Sequence, residues 1–322
     1  MIEEMRLPNS GVASFSSPPY KGYVVRPFRP EALLEFLNAS FERWFEVGSA
    51  TLISPGLIDT GRRSAKVAIR HNGRATSYFA KKYDEFIPLH DPERARRRYF
   101  RAVRAWNSAW LLIEHGISTP KPVAIVKHDG IMNNAAFLTM LEWLEGYQNF
   151  NHEMLALDHE PDGDTGRGQL IEGLVELTVR MHSRGVFHGD MSQSNILVRR
   201  ACGEYEYMVT DLDHARIGRP FEEDGVIEDL ARLTSTFSQA RDSGRREPFL
   251  LEKYVREASS KWRCKWSADI IEAVERRGEQ MLTNYAADRE RLVSALFAAV
   301  EERLGILEKE PDCARPEESQ GR

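Results

Sequence analysis

The sequence predicts an α+β fold in two lobes: a small β-rich lobe with one long helix, followed by a larger, mainly helical lobe. Three observations lead there. Short strand-like runs at Ala50 to Ser54, Ala65 to Arg70 and Thr76 to Tyr83 crowd the first part of the chain. A long uninterrupted helical pattern, Pro92 to His115, follows them. After Leu141 the periodicity is helical, broken by two short strand segments that carry paired polar residues.

The elements follow in order. Residues 1–28 are rich in Ser, Pro and Gly and are read as an arm. Glu31 to Phe45 repeats Leu33, Leu34, Leu37, Phe41, Trp44 and Phe45 on one helical face. His71-Asn72-Gly73 is a hairpin turn, because Asn-Gly readily adopts the positive φ angles of a tight turn. In the long helix, Pro92 suits the first turn and Gly116 the C-terminal cap. Its apolar stripe is Tyr99, Val103, Trp106, Trp110 and Ile113, opposed by a basic face of Arg94, Arg97, Arg98, Arg101 and Arg104. Val123 to Lys127 and Ala135 to Leu141 are two more strands, and Glu142 to Gly146 is the hinge. Asp158 to Gly168 is a polar loop; Leu170, Leu174, Leu177, Val179 and Met181 lie along a helix ending near Ser183. Helical patterns return at Ile227–Phe237, Phe249–Ala258 and Ala268–Glu308. The boundaries expected are 1–45 for arm and first helix, 46–141 and 142–310 for the lobes, and 311–322 for a disordered tail.

Composition narrows the function. The 322 residues carry a net charge of −5, which excludes an electrostatic nucleic-acid binder and leaves no nucleic-acid partner expected. Three cysteines in no metal-binding spacing read as free thiols of a reducing compartment. The acidic start MIEEMRLPNS lacks the apolar stretch of a secretion signal, and no run of about 18 apolar residues occurs. A cytoplasmic protein is expected, with any membrane role peripheral.

The chemistry sits in VFHGDMSQSNILV, Val186 to Val198, and VTDLDHARIG, Val209 to Gly218. Asp190 precedes Asn195 by five residues, and Asp211 ends a second strand. This pattern suits phosphoryl transfer: Asp190 orients or deprotonates the attacking hydroxyl, while the Asn195 amide and the Asp211 carboxylate hold Mg²⁺ on the nucleotide phosphates. His188 is read as support for the loop backbone, and Asp213 as an acceptor for local backbone amides or Arg216. A phosphate-binding Lys belongs on the third strand of the small lobe, where Lys81 and Lys82 face opposite sides. A solvated strand end is the competing reading for both.

Together with YFAKKY, GISTPKPVAIV, LEWLEG and EDLARL, these motifs resemble the lipopolysaccharide-kinase (Kdo/WaaP, InaA-type) branch of the protein-kinase-like superfamily, over about residues 62 to 233. The resemblance implies the bilobal protein-kinase-like fold and ATP as donor. The acceptor it implies is a sugar hydroxyl, heptose or Kdo, of the lipopolysaccharide core at the inner membrane. It favours Lys81 for the phosphates and sets Phe79, Glu142 and Leu144 around the adenine. Two departures stand out. PGLIDTGRR, Pro55 to Arg63, replaces a Gly-rich loop, and Ala105 to Ser108 supplies no carboxylate to pair with the Lys, leaving only Glu93 upstream. The HGD loop also keeps open a RIO-like or tRNA-modification-associated protein kinase and an aminoglycoside-type phosphotransferase, and the departures keep open a nucleotide-binding pseudokinase.

Overall fold

The computed structural model describes residues 11–40, 50–54, 62–71, 74–83, 92–129, 135–218, 222–239, 249–262 and 271–284, with Met5, Leu7 and Ala287. The expected turn PGLIDTGRR up to Gly61, the end of the helical pattern past 284 and the tail from 311 lie outside the described residues.

The first lobe is a seven-stranded antiparallel sheet in the order β1-β2-β6-β7-β5-β4-β3. Its strands are β1 (Val12–Ser17), β2 (Tyr20–Val25), β3 (Ala50–Ser54), β4 (Arg62–His71), β5 (Arg74–Tyr83), β6 (Pro122–Asp129) and β7 (Ala135–Glu142). The N-terminal segment is therefore not an arm. Residues 12–25 form a hairpin, and β2 pairs with β6 from Tyr20↔His128 to Val24↔Ala124. Its Ser, Pro and Gly content hid the alternation in β2, where Tyr20, Gly22, Val24 and Val25 are buried. Gly22 is required there, since a Cβ would lie 2.1 Å from the Ile125 carbonyl oxygen. β4 and β5 pair out to His71↔Arg74, and Asn72 and Gly73 of the expected turn lie outside the described residues.

The sheet is covered on both faces. Helix α1 (Pro30–Ser40) lays Leu33 and Leu37 on Val67, Ile69, Ala80, Val126, Leu138 and Met140. Helix α2 (Pro92–Glu114) packs Ala102, Val103, Trp106 and Trp110 on Val25, Tyr83, Ile125 and Phe137 of the other face. The alternation of β5 consequently sends Ala80 under α1 and Tyr83 under α2. The stripe of α2 differs from the expectation at its end: Ile113 is 38% exposed, and Ala109 and Leu112 are buried. These two residues join the core of the second lobe, so α2 bridges the lobes.

In the second lobe a short strand β8 (Gln148–Asn149) leads into α3 (Phe150–Leu157) and α4 (Gly163–Ser183). Helix α4 begins inside the stretch read as a polar loop. Its glycines permit a close approach to α3: a Cβ on Gly163 would lie 1.9 Å from the Leu157 carbonyl oxygen, and one on Gly166 would meet the Leu157 side chain at 2.6 Å. Then come β9 (Val186–Phe187), β10 (Ile196–Ala201), β11 (Glu204–Val209) and β12 (Arg216–Ile217). β10 and β11 close on Ala201↔Glu204 through Cys202 and Gly203, both at positive φ. Helices α5 (Glu223–Gln239), α6 (Phe249–Trp262) and α7 (271–284) complete the lobe. The core runs through Leu170, Leu174, Leu177, Phe187, Ile196, Val209, Leu230 and Tyr254.

Candidate active site

Two loops carry the polar residues singled out in the sequence. The first leaves β9 as His188-Gly189-Asp190. Gly189 has φ of 75°, and a Cβ there would lie 2.6 Å from the His214 carbonyl oxygen, so position 189 excludes a side chain on two counts. The second loop follows β11, with Asp211 in the left-handed region at φ 58°. Hydrogen bonds lock the loops together. Thr210 N–H and its hydroxyl both donate to the Asn195 carbonyl, at 2.9 and 3.1 Å. His188 is fully buried; its Nδ1 accepts the Asp190 N–H at 3.3 Å, and its Nε2 faces the Thr210 carbonyl at 2.8 Å. Both ring nitrogens are thus engaged in holding the loops together, in keeping with a backbone-supporting role.

A third element fixes the first loop from below. Asp229 of α5, fully buried, accepts the N–H groups of His188 and Gly189, both at 2.7 Å, and His182 Nε2 at 3.2 Å. Burial alone would raise its pKa. The hydrogen bond from His182 and the neighbouring His188 outweigh burial and hold the carboxyl below its usual range. Asp229 belongs to EDLARL, and nothing in local spacing marked it as the anchor of a loop 40 residues upstream.

Asp190 is about 40% exposed, and its Oδ1 accepts from Arg232 Nη1 at 3.0 Å. The Asn195 amide nitrogen donates to the Asp190 carbonyl at 2.9 Å, which leaves its amide oxygen out of that bond. Lys81, on the α2 face of β5, reaches across 130 positions to place Nζ 2.5 Å from Asp211 Oδ1 and 3.9 Å from Asp213 Oδ1. Lys82, on the opposite face, is buried within the small lobe. Burial works against the Lys81 charge, but the Asp211 and Asp213 carboxyls outweigh it, so the ammonium is held above the usual lysine range. Burial pushes the Tyr83 hydroxyl up to about 12, which keeps it neutral at physiological pH and leaves the carboxyls as the true counter-charge. For Asp211, burial is outweighed by a hydrogen bond with Asp213 and by Lys81, which keep it well below the usual carboxylate range.

Several expectations need correction. Asp213 is 1% exposed and turned to Lys81 and Asp211, while Arg216 pairs with Glu222 at 3.0 Å. Arg104 does not simply belong to a solvated basic face: its Nη1 donates to the Asp213 carbonyl at 3.3 Å. The side chains of Glu93, Arg94, Arg97 and Arg98 lie outside the described residues. Phe79 is half-buried on the same face of β5 as Lys81. Glu142 sits at the end of β7, where its N–H donates to the Lys121 carbonyl and its carboxylate accepts the Lys121 N–H, both at 2.9 Å. The Leu144 carbonyl accepts from Tyr147 N–H at 3.4 Å. Lys66 spans to the hinge, 3.2 Å from Glu145 and 4.4 Å over the Trp143 ring. Among the described residues, no group of three or more His, Cys, Asp or Glu side chains is placed to hold a metal. Asn195 and Asp211 offer two hard oxygen donors, a number that could hold a Mg²⁺ taking its remaining ligands from phosphates and water.

The family model that matches residues 60–254, more than half of the chain, is the lipopolysaccharide kinase (Kdo/WaaP) family. The chain belongs to that family. It is a phosphotransferase acting on a hydroxyl of lipopolysaccharide. The fold agrees. A structure of WaaP in complex with acyl carrier protein is similar at a TM-score of 0.54 and 18% identity, covering 79% of this chain and 96% of that one. A glucosamine kinase structure aligns at a TM-score of 0.40 and 12% identity over 92% of this chain and 95% of the other. No curated protein sequence matches the chain. No helix among the described residues of this lipopolysaccharide kinase-family protein is long and apolar enough to cross a membrane.

Proposed function

We propose that the chain transfers the γ-phosphoryl group of ATP to a sugar hydroxyl, heptose or Kdo, of the lipopolysaccharide core. The observation that carries the reading is the contact of Lys81 with Asp211, which brings the cation of the small lobe to the carboxylate of the large lobe at 2.5 Å. Lys81 is assigned to the phosphates, Phe79 with the hinge at Glu142 and Leu144 to the adenine, and Asn195 and Asp211 to Mg²⁺. When bound, Mg²⁺ would screen the phosphate charge that otherwise repels an incoming oxygen. Asp190 accepts a hydrogen bond from the acceptor hydroxyl and takes its proton as the oxygen–phosphorus bond forms and ADP leaves. Alignment of a weak nucleophile supplies much of the rate.

The acceptor is lipid-linked, so the proposal includes peripheral contact with the cytoplasmic face of the inner membrane. The intact set of Asp190, Asn195, Asp211 and Lys81 favours an enzyme over a pseudokinase. The test is phosphate transfer from labelled ATP to core saccharides in the presence of Mg²⁺. Asp190→Asn should keep ATP affinity and lose about 10²- to 10⁴-fold in rate. An Asp190→Asn protein as fast as wild type refutes the assignment.

A further inference from the structure

We infer that Arg232 is a positioning residue for the transfer, holding one oxygen of the Asp190 carboxylate so that the other is presented to the acceptor hydroxyl. The inference rests on the kinase reading and adds to it a role for Arg232 of EDLARL, which the reading of the sequence left without one.

The geometry begins with α5. Val226, Leu230, Ala231 and Leu233 are buried in the core of the large lobe, so the helix is a fixed base. Asp229 takes the backbone of the catalytic loop through the His188 and Gly189 N–H groups. Arg232, three positions on, takes the side chain of the same loop through Asp190 Oδ1, at 3.0 Å. One helix therefore grips the loop at two points, one of which is the reacting group itself.

Arg232 is in turn prevented from swinging. Its Nε donates to Glu228 Oε1 at 3.0 Å, one helical turn back, while Nη1 holds Asp190. Glu228 is fixed from its other oxygen, where Arg277 Nε of α7 donates to Oε2 at 3.0 Å. The result is an alternating chain, Asp190–Arg232–Glu228–Arg277, running from the catalytic carboxylate to the last described helix. A planar guanidinium with donors diverging toward two carboxylates sets a direction as well as a charge, which an ammonium cannot do as well.

The consequence for chemistry is specific. Met191, Ser192, Gln193 and Ser194, which separate Asp190 from Asn195, contain no cation. The charge beside Asp190 comes instead from another element, 42 positions away. Without Arg232 the carboxylate rotates about its side-chain torsions and both oxygens compete for the hydroxyl. A loss of alignment of this size costs about 10²-fold in rate.

The experiment measures kcat, KM for ATP and melting temperature for wild type, Asp190→Asn, Arg232→Ala and Arg232→Lys, with Arg200→Ala as a surface ion-pair control. Arg232→Ala should lower kcat about 10²-fold with KM for ATP unchanged, since the side chain of Arg232 is engaged by Glu228 and by the acceptor-side Asp190. Arg232→Lys should recover about tenfold of that loss, because it restores charge but not the fork. Both should melt within about 2 °C of wild type, as half-exposed pairs contribute little to stability. Wild-type kcat in Arg232→Ala overturns the inference while leaving the kinase reading intact. So does a rate above wild type, which would make Arg232 a plug on the base. A loss of kcat matched by a raised KM and a large fall in melting temperature also overturns it. If wild type and Asp190→Asn are equally inactive toward every acceptor, the kinase reading fails first, and the role of Arg232 falls with it.

Discussion

Replacing Asp229 by Ala tests whether the catalytic loop is held from below. The carboxylate is fully buried and accepts three donors: His188 N–H and Gly189 N–H at 2.7 Å, and His182 Nε2–H at 3.2 Å. His182 in turn accepts the Tyr254 hydroxyl at 2.7 Å, so the variant also loosens a buried chain that reaches α6. Each donor left buried without a partner costs about 1–3 kcal/mol. Partial relaxation keeps the total near the 3–5 kcal/mol, in order of magnitude, typical of breaking a buried charged network. At about 2–4 °C per kcal/mol for a lobe of this size, the melting temperature should fall by roughly 6–20 °C. Asp229→Asn keeps one acceptor oxygen and should lie between. The pH dependence has a definite sign. The Asp229 pKa is depressed in the folded protein, so its stabilisation is complete above the ordinary value of 3.8 and is lost as pH falls through the folded value. Wild type and variant should therefore differ by a constant amount near neutrality and converge only in strong acid. Differential scanning calorimetry from neutral pH downward measures both effects. A melting temperature within about 2 °C of wild type at neutral pH would refute the anchoring argument.

Three further outcomes are expected. Asp211→Ala should abolish Mg²⁺-dependent ATP binding and Asn195→Ala should weaken it; isothermal calorimetry showing equal affinities in both would remove the metal roles. Lys81→Ala should depress kcat/KM for ATP more than Lys82→Ala, whose buried position predicts a loss of stability instead, and the reverse ranking in kinetics would place the wrong lysine in the cleft. Gly189→Ala should cost about 1–2 kcal/mol for its left-handed backbone alone, with a further loss from contact with the His214 carbonyl, and a melting curve identical to wild type would contradict both.

What was legible in the sequence was local. The spacing of Asp190 and Asn195 and the Asp211 strand end could be read because a short loop and a strand dictate them. The choice between Lys81 and Lys82 could be framed because a pleated strand alternates. What was missed depends on contacts between distant segments. Ser, Pro and Gly at residues 11–22 concealed two strands, since the apolar alternation in β2 makes sense only beside β6. The start of α4 was hidden by glycines whose purpose is contact with Leu157, a tertiary demand that local propensity scores against. Arg232 and Asp229 looked like ordinary members of an amphipathic helix. Their partners lie about 40 positions upstream, beyond the reach of periodicity.

The lack of a carboxylate at Ala105 to Ser108 of α2 bears on whether such a site can be active. A kinase-like lysine needs a negative partner to stay charged and aimed, and Ala105 to Ser108 of α2 provide none. In this protein the partner comes from the loop after β11. Asp211 and Asp213 lie side by side, and both carboxyls face Lys81. Lys81 lies 2.5 Å from the first and 3.9 Å from the second. Helix α2 still takes part, by a different route: Arg104 donates to the Asp213 carbonyl at 3.3 Å and fixes the backbone of the loop that supplies the charge. The helix thus steadies the counter-charge and does not provide it. Were Asp211 to hold a metal, Asp213, buried at 1% exposure, would still lie beside Lys81. The lack of a carboxylate at Ala105 to Ser108 is therefore compatible with an active enzyme, because Asp211 and Asp213 of the other lobe supply negative charge beside Lys81.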